Sequence, residues 1–468
     1  MKFNLVVLAL FACYSVSEAF WNPYRRFFKR SAAPTRAGES GEPLFLTKLL
    51  QDGKIEEARN RAKVNHPLLT GAESYSGLVT VDLKTNSNLF FWHVAAKSNR
   101  QQAPVVVYLQ GGPGSSSLLG LFEENGPWKV HRNMSVTHRE YSWHVNHHLV
   151  YVDNPVGTGF SFTDSEEGYS TNEEHVGENL YRFLRQFYVM FPNLLANPLY
   201  VVGESYGGKF AVALSHTIHN SPDAKLNLQG LAIGDAFVDP RSQLHHGDFL
   251  YQIGLIDHKA KEKFDEDEAA AVECVERNDF QCALRLVDEL LEGVDGQESY
   301  FKKVTGFSSY YNYVTGDEDD TGDNALMKFL STPDVRKAMH VGDLPFQNSD
   351  GHGKVAEKLS EDLLDTVAPW VSEQLSERPV LFYNGQLDVL CAYPQTVDFL
   401  LSLPFDGSEE YKDAPREIHR VDGDIVGYRK KAGNLREVLI RNAGHMAPRD
   451  QPKATFDIIS SFTHRKSF

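Results

Sequence analysis

The stretch Leu199-Tyr200-Val201-Val202-Gly203-Glu204-Ser205-Tyr206-Gly207 decides the fold of this chain. Its first four residues form an apolar run that is typical of a buried strand, and the residues after Gly207 have the pattern of a helix. Between them lies Gly-x-Ser-x-Gly, the pattern of a sharp strand-to-helix turn that lifts a serine hydroxyl above the edge of a sheet. Ser205 is therefore the candidate nucleophile.

Other parts of the chain repeat the alternation of short apolar runs with helical stretches. Residues 75–82 and 88–95 predict an opening hairpin. Because runs that are apolar on both faces suit buried parallel strands, the pattern predicts an α/β fold with a mostly parallel central sheet and crossover helices. The predicted inner strands are Val105–Gln110, Leu149–Asp153, Leu199–Gly203, Leu228–Ile233, Val380–Asn384 and Val438–Ile440, and the clearest helices are Glu174–Phe191 and Lys209–His219.

The pattern changes between Asp239 and Pro369, where charged helical segments replace the apolar runs. We expect residues 239–369 to form a helical cap insertion, and residues 71–238 and 370–468 to form the core. Within the cap, the acidic stretch 317–322 is faintly similar to a calcium loop, but its twelfth position is Lys328, where such a loop needs a glutamate. We interpret it as a solvated loop.

The N-terminal residues predict entry into the secretory pathway. An apolar run follows Lys2 and ends before small residues, which indicates a signal peptide over residues 1–19. The apolar run is too short to span a bilayer. Residues 20–70 are a propeptide or N-terminal extension, in which Arg25, Arg26, Lys29 and Arg30 form either a processing site or a basic tail. We expect a lysosome-like compartment or the extracellular space, and no membrane span.

Composition narrows the class of protein further. The chain has 468 residues, 41% of them hydrophobic, and a formal net charge of -16, which makes nucleic acid an unfavourable partner. After loss of Cys13, three cysteines remain, and Cys274 with Cys282 is the favoured disulfide, while Cys391 is expected to be a buried free thiol. Asn133 begins an N-glycosylation sequon. The histidines 144, 147 and 148 match no metal signature and are interpreted as surface or partly buried side chains.

An activated serine needs a base and an acid, and in this kind of fold they follow it in the order Ser, Asp, His. Asp388 follows the strand at residues 380–384, and His445 follows the strand at 438–440. Such a sheet places its chemistry on the loops at the carboxyl ends of its strands. We therefore predict that His445 takes the Ser205 proton and that Asp388 orients the imidazole.

A glycine-rich loop, Gly111-Gly112-Pro113-Gly114-Ser115-Ser116-Ser117, follows the strand at 105–110. Two backbone N–H groups are needed to stabilise an oxyanion. The backbone N–H of Tyr206 and one from this loop, at Gly112, are the candidates. A phosphate-binding loop is disfavoured because the Gly-Lys-Ser/Thr ending is absent.

Five motifs taken together resemble the serine carboxypeptidase family, in particular its vitellogenic carboxypeptidase-like branch. They are GGPGSSS, DNPVGTGFSF, GESYGGKF, NGQLD and GHMAP, and the similarity runs from about Tyr75 to Phe462. The resemblance implies the α/β-hydrolase fold, hydrolysis through an acyl-enzyme without a metal or other cofactor, and peptide or protein substrates that carry a free C-terminal carboxylate. A homodimer is left open.

The same resemblance implies how that carboxylate is held. Gln110, Gly111 and Glu204 would bind it, and Glu124 would pair with Glu204. Two carboxyl groups in contact share a proton, and loss of that proton at higher pH would oppose an anionic substrate. We therefore expect an acidic pH optimum.

Two departures from the family pattern are visible. Gln110 stands where most members have Asn, and Phe307 and Gly316 stand where close relatives carry cysteines, which leaves the rigidity of the cap in doubt.

Two other functions compete with peptide hydrolysis. Some members of the family are acyltransferases, and a non-catalytic protective or binding protein could keep the same fold. The acid pair favours hydrolysis, and the complete Ser, Asp and His set argues against a non-catalytic protein.

Overall fold

The computed structural model describes residues 38–221, 226–294, 297–315, 325–347 and 353–465. The expected signal peptide, the basic segment before residue 31 and the acidic stretch 317–322 lie outside these ranges, as does Gly316. Within them the strands are β1 (Ser74–Asp82), β2 (Ser87–Val94), β3 (Val105–Leu109), β4 (Trp128–Val130), β5 (Val136–His138), β6 (His148–Val152), β7 (Leu199–Glu204), β8 (Leu228–Gly234), β9 (Val380–Gly385), β10 (Glu417–Val421), β11 (Asp424–Ala432) and β12 (Leu435–Ile440).

Helices fill most of the connections between these strands. They are α1 (Thr47–Gln51), α2 (Ile55–Ala62), α3 (Glu173–Met190), α4 (Gly207–Asn220), α5 (Pro240–Gln243), α6 (Gly247–Gln252), α7 (His258–Glu276), α8 (Phe280–Leu291), α9 (Tyr300–Thr305), α10 (Ala325–Leu330), α11 (Pro333–Met339), α12 (Lys354–Lys358), α13 (Ala368–Glu377), α14 (Tyr393–Ser402), α15 (Ser408–Asp413), α16 (Ala447–Asp450) and α17 (Pro452–Thr463). A π-helical turn occupies Gly120–Glu124.

Ten strands form one twisted sheet in the order β1-β2-β6-β3-β7-β8-β9-β12-β11-β10. The central block from β6 to β12 is parallel, and an antiparallel pair of strands extends it at each side. The predicted parallel sheet and the opening hairpin are therefore confirmed.

The central strands are buried on both faces, and their residues pack into hydrophobic cores on opposite sides of the sheet. In β3, Val105 and Val107 join the core that contains α3 and α4. Val106 and Tyr108 point to the opposite face, into the core that contains α17. This alternation is the period of two expected of a strand, and it explains why the inner strands have no polar face in the sequence.

The strands β10 and β11 were not predicted from the sequence. Their side chains alternate little in polarity because this edge of the sheet is largely exposed, and Asp424–Ala432 buries only Gly427 and Ala432. A strand that is solvated on most of its surface carries no hydrophobic pattern that could identify it.

The chain between β8 and β9 forms helices α5 to α13, where the helical cap insertion was expected. The insertion packs into the same cores as the sheet: Phe264 of α7 lies in one and Phe329 of α10 in the other. The predicted disulfide is confirmed, since Cys274 of α7 is bonded to Cys282 of α8. Cys391 is a buried free thiol, as expected.

The interpretation of the histidine cluster was wrong, because all three side chains are buried. Exposure is 7% for His144, 0% for His147 and 4% for His148. His147 bridges two elements, with Nδ1 donating to the Trp143 carbonyl at 3.0 Å and Nε2 lying 2.6 Å from Thr463 Oγ1 of α17. Burial lowers the pKa of His147 to about 3. The three histidines are buried packing residues, and His147 ties the start of β6 to the C-terminal helix.

Among the described residues, no helix combines the length and the apolar character needed to cross a bilayer.

Candidate active site

The strand-to-helix turn after β7 places Ser205 in a left-handed conformation, with φ of 58°. The neighbouring glycines are needed because the backbone passes very close to itself. A Cβ at Gly203 would lie 1.9 Å from the Gly207 carbonyl oxygen, and one at Gly207 would lie 2.2 Å from the Leu109 carbonyl oxygen. The Ser205 N–H donates to the Gly234 carbonyl at 2.9 Å, which fixes the turn to the end of β8. This is the geometry that Gly-x-Ser-x-Gly predicts.

The structure brings Asp388 and His445 into contact beside this turn. His445 Nδ1 and Asp388 Oδ2 are 2.8 Å apart, and both side chains are completely buried. The other Asp388 oxygen accepts the Leu390 N–H at 2.8 Å. The His445 N–H donates to the Tyr311 carbonyl at 2.7 Å, so a residue of the insertion holds the histidine loop. The Asp388 carboxylate therefore selects the imidazole tautomer that carries its proton on Nδ1 and leaves Nε2 as the base.

Ser205 Oγ is completely buried and forms no hydrogen bond to another described residue. Hydrogen bonds between a nucleophile and its base are often long before substrate binds and tighten in the complex. Ser205, Asp388 and His445 thus lie at the ends of β7, β9 and β12, and serine, aspartate and histidine are the residue types that an acyl-transfer site of this kind needs.

The glycine-rich loop after β3 packs directly on the turn that carries Ser205. A Cβ at Gly111 would lie 2.6 Å from both the Glu204 carbonyl oxygen and the Tyr206 nitrogen. Gly112 has φ of 121°, which side-chain-bearing residues rarely adopt. Within the described backbone, the N–H groups of Gly112 and Tyr206 donate to no carbonyl group. Both donors are thus available to an oxyanion.

Asp153 supports this loop from below, a role that the sequence reasoning missed. Its carboxylate is buried and accepts the Ser116 hydroxyl at 2.5 Å, the Ser117 N–H at 3.1 Å and the Phe160 N–H at 2.9 Å. Burial raises the pKa of Asp153 to about 7, against the lowering effect of these bonds. The only sequence signal for this role was the motif DNPVGTGFSF, in which Asp153 is the first residue.

The candidate carboxylate clamp is a buried polar cluster beside Ser205. Gln110 Nε2 donates to Glu204 Oε1 at 2.9 Å, and the Glu204 and Glu124 carboxyl groups lie close enough for a hydrogen bond between them. The Tyr108 hydroxyl donates to Glu124 at 3.3 Å. The pKa of Glu124 is raised well above its usual value, first by burial and then by the neighbouring Glu204. At acidic pH the pair therefore holds at least one proton, which it can donate to a substrate carboxylate.

Tyr206 also anchors the insertion to the core, a contact that no sequence pattern indicated. Its hydroxyl donates to the Asp362 carboxylate, whose other oxygen accepts the Glu173 N–H at 3.1 Å. The buried Lys209 ammonium donates to the carbonyl groups of Asp362 and Asp365, both at 2.6 Å. The residue that follows the nucleophile is thus held at both its backbone and its side chain.

Asn133, the predicted glycosylation residue, is exposed in the loop between β4 and β5, where its side chain accepts hydrogen bonds from Ser135. Over the described ranges, one group of His, Cys, Asp and Glu side chains has the spacing of metal ligands, and it consists of Asp388, Cys391 and His445. Two of these three are already bonded to each other, and burial raises the pKa of the Cys391 thiol, which disfavours the thiolate that a metal needs.

The chain matches known proteins over nearly its whole length. The family model "Peptidase_S10: Serine carboxypeptidase" matches residues 64–465. The chain is 68% identical to the vitellogenic carboxypeptidase of Aedes aegypti over 467 residues, covering 99% of each protein. It is 43% identical to the venom serine carboxypeptidase of Apis mellifera, covering 99% of this chain and 100% of that one. It is 41% identical to the human probable serine carboxypeptidase CPVL, covering 95% and 94% respectively.

A solved structure agrees with the fold. The crystal structure of Kex1(delta)p, a prohormone-processing carboxypeptidase from Saccharomyces cerevisiae, superimposes with a TM-score of 0.73 at 22% sequence identity. The match covers 87% of this chain and 96% of that one, and confirms the predicted fold class. The chain therefore belongs to the serine carboxypeptidase family S10 and is a serine-type carboxypeptidase, a hydrolase of the α/β-hydrolase fold.

Proposed function

We propose that Ser205, Asp388 and His445 are the catalytic triad, and that the reaction passes through an acyl-enzyme. His445 Nε2 takes the Ser205 proton as Oγ attacks the last peptide carbonyl, and then gives that proton to the leaving amine. Water, deprotonated by the same nitrogen, releases the acyl group. The observation that carries this proposal is the 2.8 Å hydrogen bond between His445 and Asp388, beside the turn that carries Ser205.

The oxyanion of each tetrahedral intermediate is stabilised by the Gly112 and Tyr206 N–H groups. Their support is the contact between the Gly111 loop and the Ser205 turn, together with the absence of a carbonyl acceptor for either N–H in the described backbone. Two fixed donors in a buried site stabilise developing charge more than water does, because they need no reorganisation.

The substrate's free C-terminal carboxylate is bound by Gln110, Gly111 and the proton-sharing pair of Glu204 and Glu124. A carboxylate on the substrate and a doubly ionised pair would repel each other in a buried site. Because the pKa of Glu124 is raised, the proton is present at acidic pH and is lost as the pH rises. Substrate binding therefore favours acidic pH and excludes peptides whose C-terminus is amidated.

A serine-directed phosphonate reagent tests the triad. The reagent is expected to label Ser205, as mapped by peptide mass spectrometry, and not to label the Ser205→Ala variant. The Asp388→Asn variant should not be labelled at a comparable rate, since loss of the Asp388 carboxylate reduces triad rates by about 10⁴-fold in the reference case. Ser215→Ala is a matched control, because Ser215 is a buried serine on α4, the helix that follows Ser205. Labelling of another serine, or unchanged labelling of Asp388→Asn, would contradict the assignment.

Acyl transfer to an acceptor other than water is the second function that the site could support. It would use the same acyl-enzyme, and the acid pair argues against it, since binding a C-terminal carboxylate is the requirement of an exopeptidase. A non-catalytic protective protein is disfavoured because Ser205, His445 and Asp388 are all present, at the ends of strands of the same sheet.

We also propose that the protein works in the secretory pathway, in a lysosome-like compartment or outside the cell. The Cys274–Cys282 disulfide fits an oxidising compartment, and the exposed Asn133 is accessible to glycosylation. The division into a core at 71–238 and 370–468 and a cap at 239–369 is supported by the helices between β8 and β9. A homodimer remains a prediction without structural support.

A further inference from the structure

A second buried carboxyl group, Asp235, lies against the candidate triad and takes no part in the mechanism above. It follows β8 directly, is completely buried and has φ of 43°. Its N–H donates to the Tyr383 carbonyl at 2.9 Å, and its Oδ1 accepts the Gly385 N–H at 2.6 Å. Gly385 is the last residue of β9 and begins the turn to Asp388. Asp235 therefore links the ends of β8 and β9 at the point where the acid loop leaves the sheet.

The side chains of Asp235 and Asp388 lie close enough for a hydrogen bond between them. Two carboxyl groups can form such a bond only if one of them carries a proton. Asp388 already accepts the Leu390 N–H and the His445 Nδ1–H, one on each oxygen. Asp235 accepts one N–H, from Gly385, and its Oδ2 has no N–H or hydroxyl donor among the described residues. The negative charge thus belongs on Asp388 and the proton on Asp235.

We propose that Asp235 is a positioning residue for catalysis: in its protonated form it donates a hydrogen bond to Asp388 and holds that carboxylate in line with His445. With the Leu390 N–H and the imidazole, the Asp235 hydroxyl would be the third donor to one buried carboxylate. Three fixed donors leave the carboxylate little freedom to rotate, and a buried charge requires this number of partners. The proposal rests on the triad assignment made above.

The surroundings of Asp235 keep its proton in place. Burial and the Asp388 charge raise the pKa of Asp235 well above its usual value, and the Glu204 carboxyl acts in the same direction. The other titratable groups that face it are Tyr383 and Cys391, whose own pKa values are raised by burial and by these acids, so both are neutral at acidic pH. On the Asp388 side, the buried His246 imidazole also interacts with the Asp388 charge; against the lowering effect of burial, its hydrogen bond to Glu268 and this charge raise its pKa. When Asp235 does lose its proton, two buried charges face each other and the aligned geometry is lost.

The test compares Asp235→Asn with Asp235→Ala by measuring kcat and KM on an N-blocked dipeptide from pH 4.5 to 8. Asn keeps an oxygen for the Gly385 N–H and offers an N–H to Asp388, without a proton to lose. We expect Asp235→Ala to lower kcat about 10- to 100-fold, the effect of losing a hydrogen bond to a charged group, with KM changed less than threefold. We expect Asp235→Asn to lose less than tenfold and to keep kcat constant to higher pH than the native enzyme.

Controls separate this role from folding and from the triad. Asp288→Asn removes another buried acid with a raised pKa, in α8 of the insertion, and should leave the pH dependence of kcat unchanged. Asp388→Asn tests the triad itself, and failure of that variant to lose activity would overturn the proposed function rather than this inference alone. If Asp388→Asn is inactive but Asp235→Ala has native kcat, the inference is wrong. It is equally wrong if Asp235→Asn falls as far as Asp235→Ala while both remain folded by circular dichroism.

Discussion

At the scale of single residues, the site is built from four buried carboxyl groups that form two pairs. Glu124 faces Glu204 in the proposed carboxylate clamp, and Asp235 faces Asp388 on the side of the proposed triad. In each pair one acid has a raised pKa because its partner supplies negative charge in a place that water does not reach. We propose that the first pair affects substrate binding and the second the chemical step, so we expect their effects to separate into KM and kcat.

Replacing Glu124 with Gln tests the first pair. The Gln amide donates permanently to Glu204, so the pair no longer has a proton to lose as the pH rises. We expect KM of the native enzyme for an N-blocked dipeptide to rise at least tenfold from pH 5 to 7.5, which corresponds to about 1.4 kcal/mol, and KM of Glu124→Gln to rise less than threefold. Steady-state kinetics at closely spaced pH values checks this.

Glu123→Gln is the matched control, since it changes the adjacent acid on the same π-helical turn and leaves the pair intact. It should follow the native profile. A Glu124→Gln variant with the full native rise in KM would show that another group controls the binding of the carboxylate.

At the scale of secondary-structure elements, the site depends on the carboxyl ends of neighbouring strands meeting without side chains between them. Gly111 after β3 and Gly207 at the start of α4 allow backbone to contact backbone, and the Ser205 N–H ties β7 to β8. The proposed oxyanion donors are therefore positioned by strand packing rather than by any side chain of their own.

Replacing Gly111 with Ala should separate the two oxyanion donors. The new Cβ would meet the Glu204 oxygen and the Tyr206 nitrogen at 2.6 Å, and backbone atoms cannot give way cheaply. A shift of about 1 Å in a catalytic group costs about 100-fold in rate, so we expect kcat/KM to fall by at least that factor. Steady-state kinetics gives the result.

Gly53→Ala serves as the control, because nothing lies within 4 Å of its new Cβ, and its positive φ of 73° tests backbone strain alone. It should reduce stability by about 1 kcal/mol and leave kcat/KM as it is. Native kcat/KM in Gly111→Ala would contradict the proposed placement of the oxyanion donors.

Which elements could be predicted from the sequence depended on whether their pattern is local. The inner strands, the turn at Ser205 and the order of Asp388 and His445 were predictable because apolar runs and glycine patterns are local. The β10–β11 hairpin was missed because its surface is exposed and carries no pattern. The burial of His147 was missed because its partner Thr463 lies in α17, more than 300 residues away in sequence. Asp235 was invisible for a related reason, since its contact with Asp388 exists only once β8 and β9 are adjacent.

At the scale of the whole molecule, buried ionisable groups predict how stability depends on pH. Several buried acids have a raised pKa in the folded state: Glu124, Glu173, Asp235, Asp288 and, at about 7, Asp153. They stabilise the fold fully below their unfolded pKa of about 4, and that stabilisation is lost as the pH rises through the folded value. Buried histidines act oppositely: His93 and His147, at about 3, cost stability as the pH falls below about 6.5.

The two groups of residues together predict maximal stability at mildly acidic pH. Above about pH 7 the histidines are neutral in both states, whereas the raised acids continue to titrate. We therefore expect the free energy of unfolding, measured by urea denaturation, to be lower at pH 8 than at pH 6.

Asp153→Asn provides the comparison, because it removes one of the acids that titrate in this range. The difference in stability between pH 6 and pH 8 should be smaller in this variant than in the native protein. Greater native stability at pH 8 than at pH 6 would mean that the buried acids are ionised at little cost in the fold.

The most direct measurement of the central claim is release of the C-terminal residue from an N-blocked dipeptide at mildly acidic pH. It is run beside the same dipeptide with an amidated C-terminus and beside the Ser205→Ala variant. We expect the native protein to release the C-terminal residue and Ser205→Ala to release none detectably. The amidated dipeptide should not be cleaved, because the acid pair needs a free carboxylate to bind. Equal release of both dipeptides would contradict the carboxylate clamp, and release by Ser205→Ala would contradict the triad.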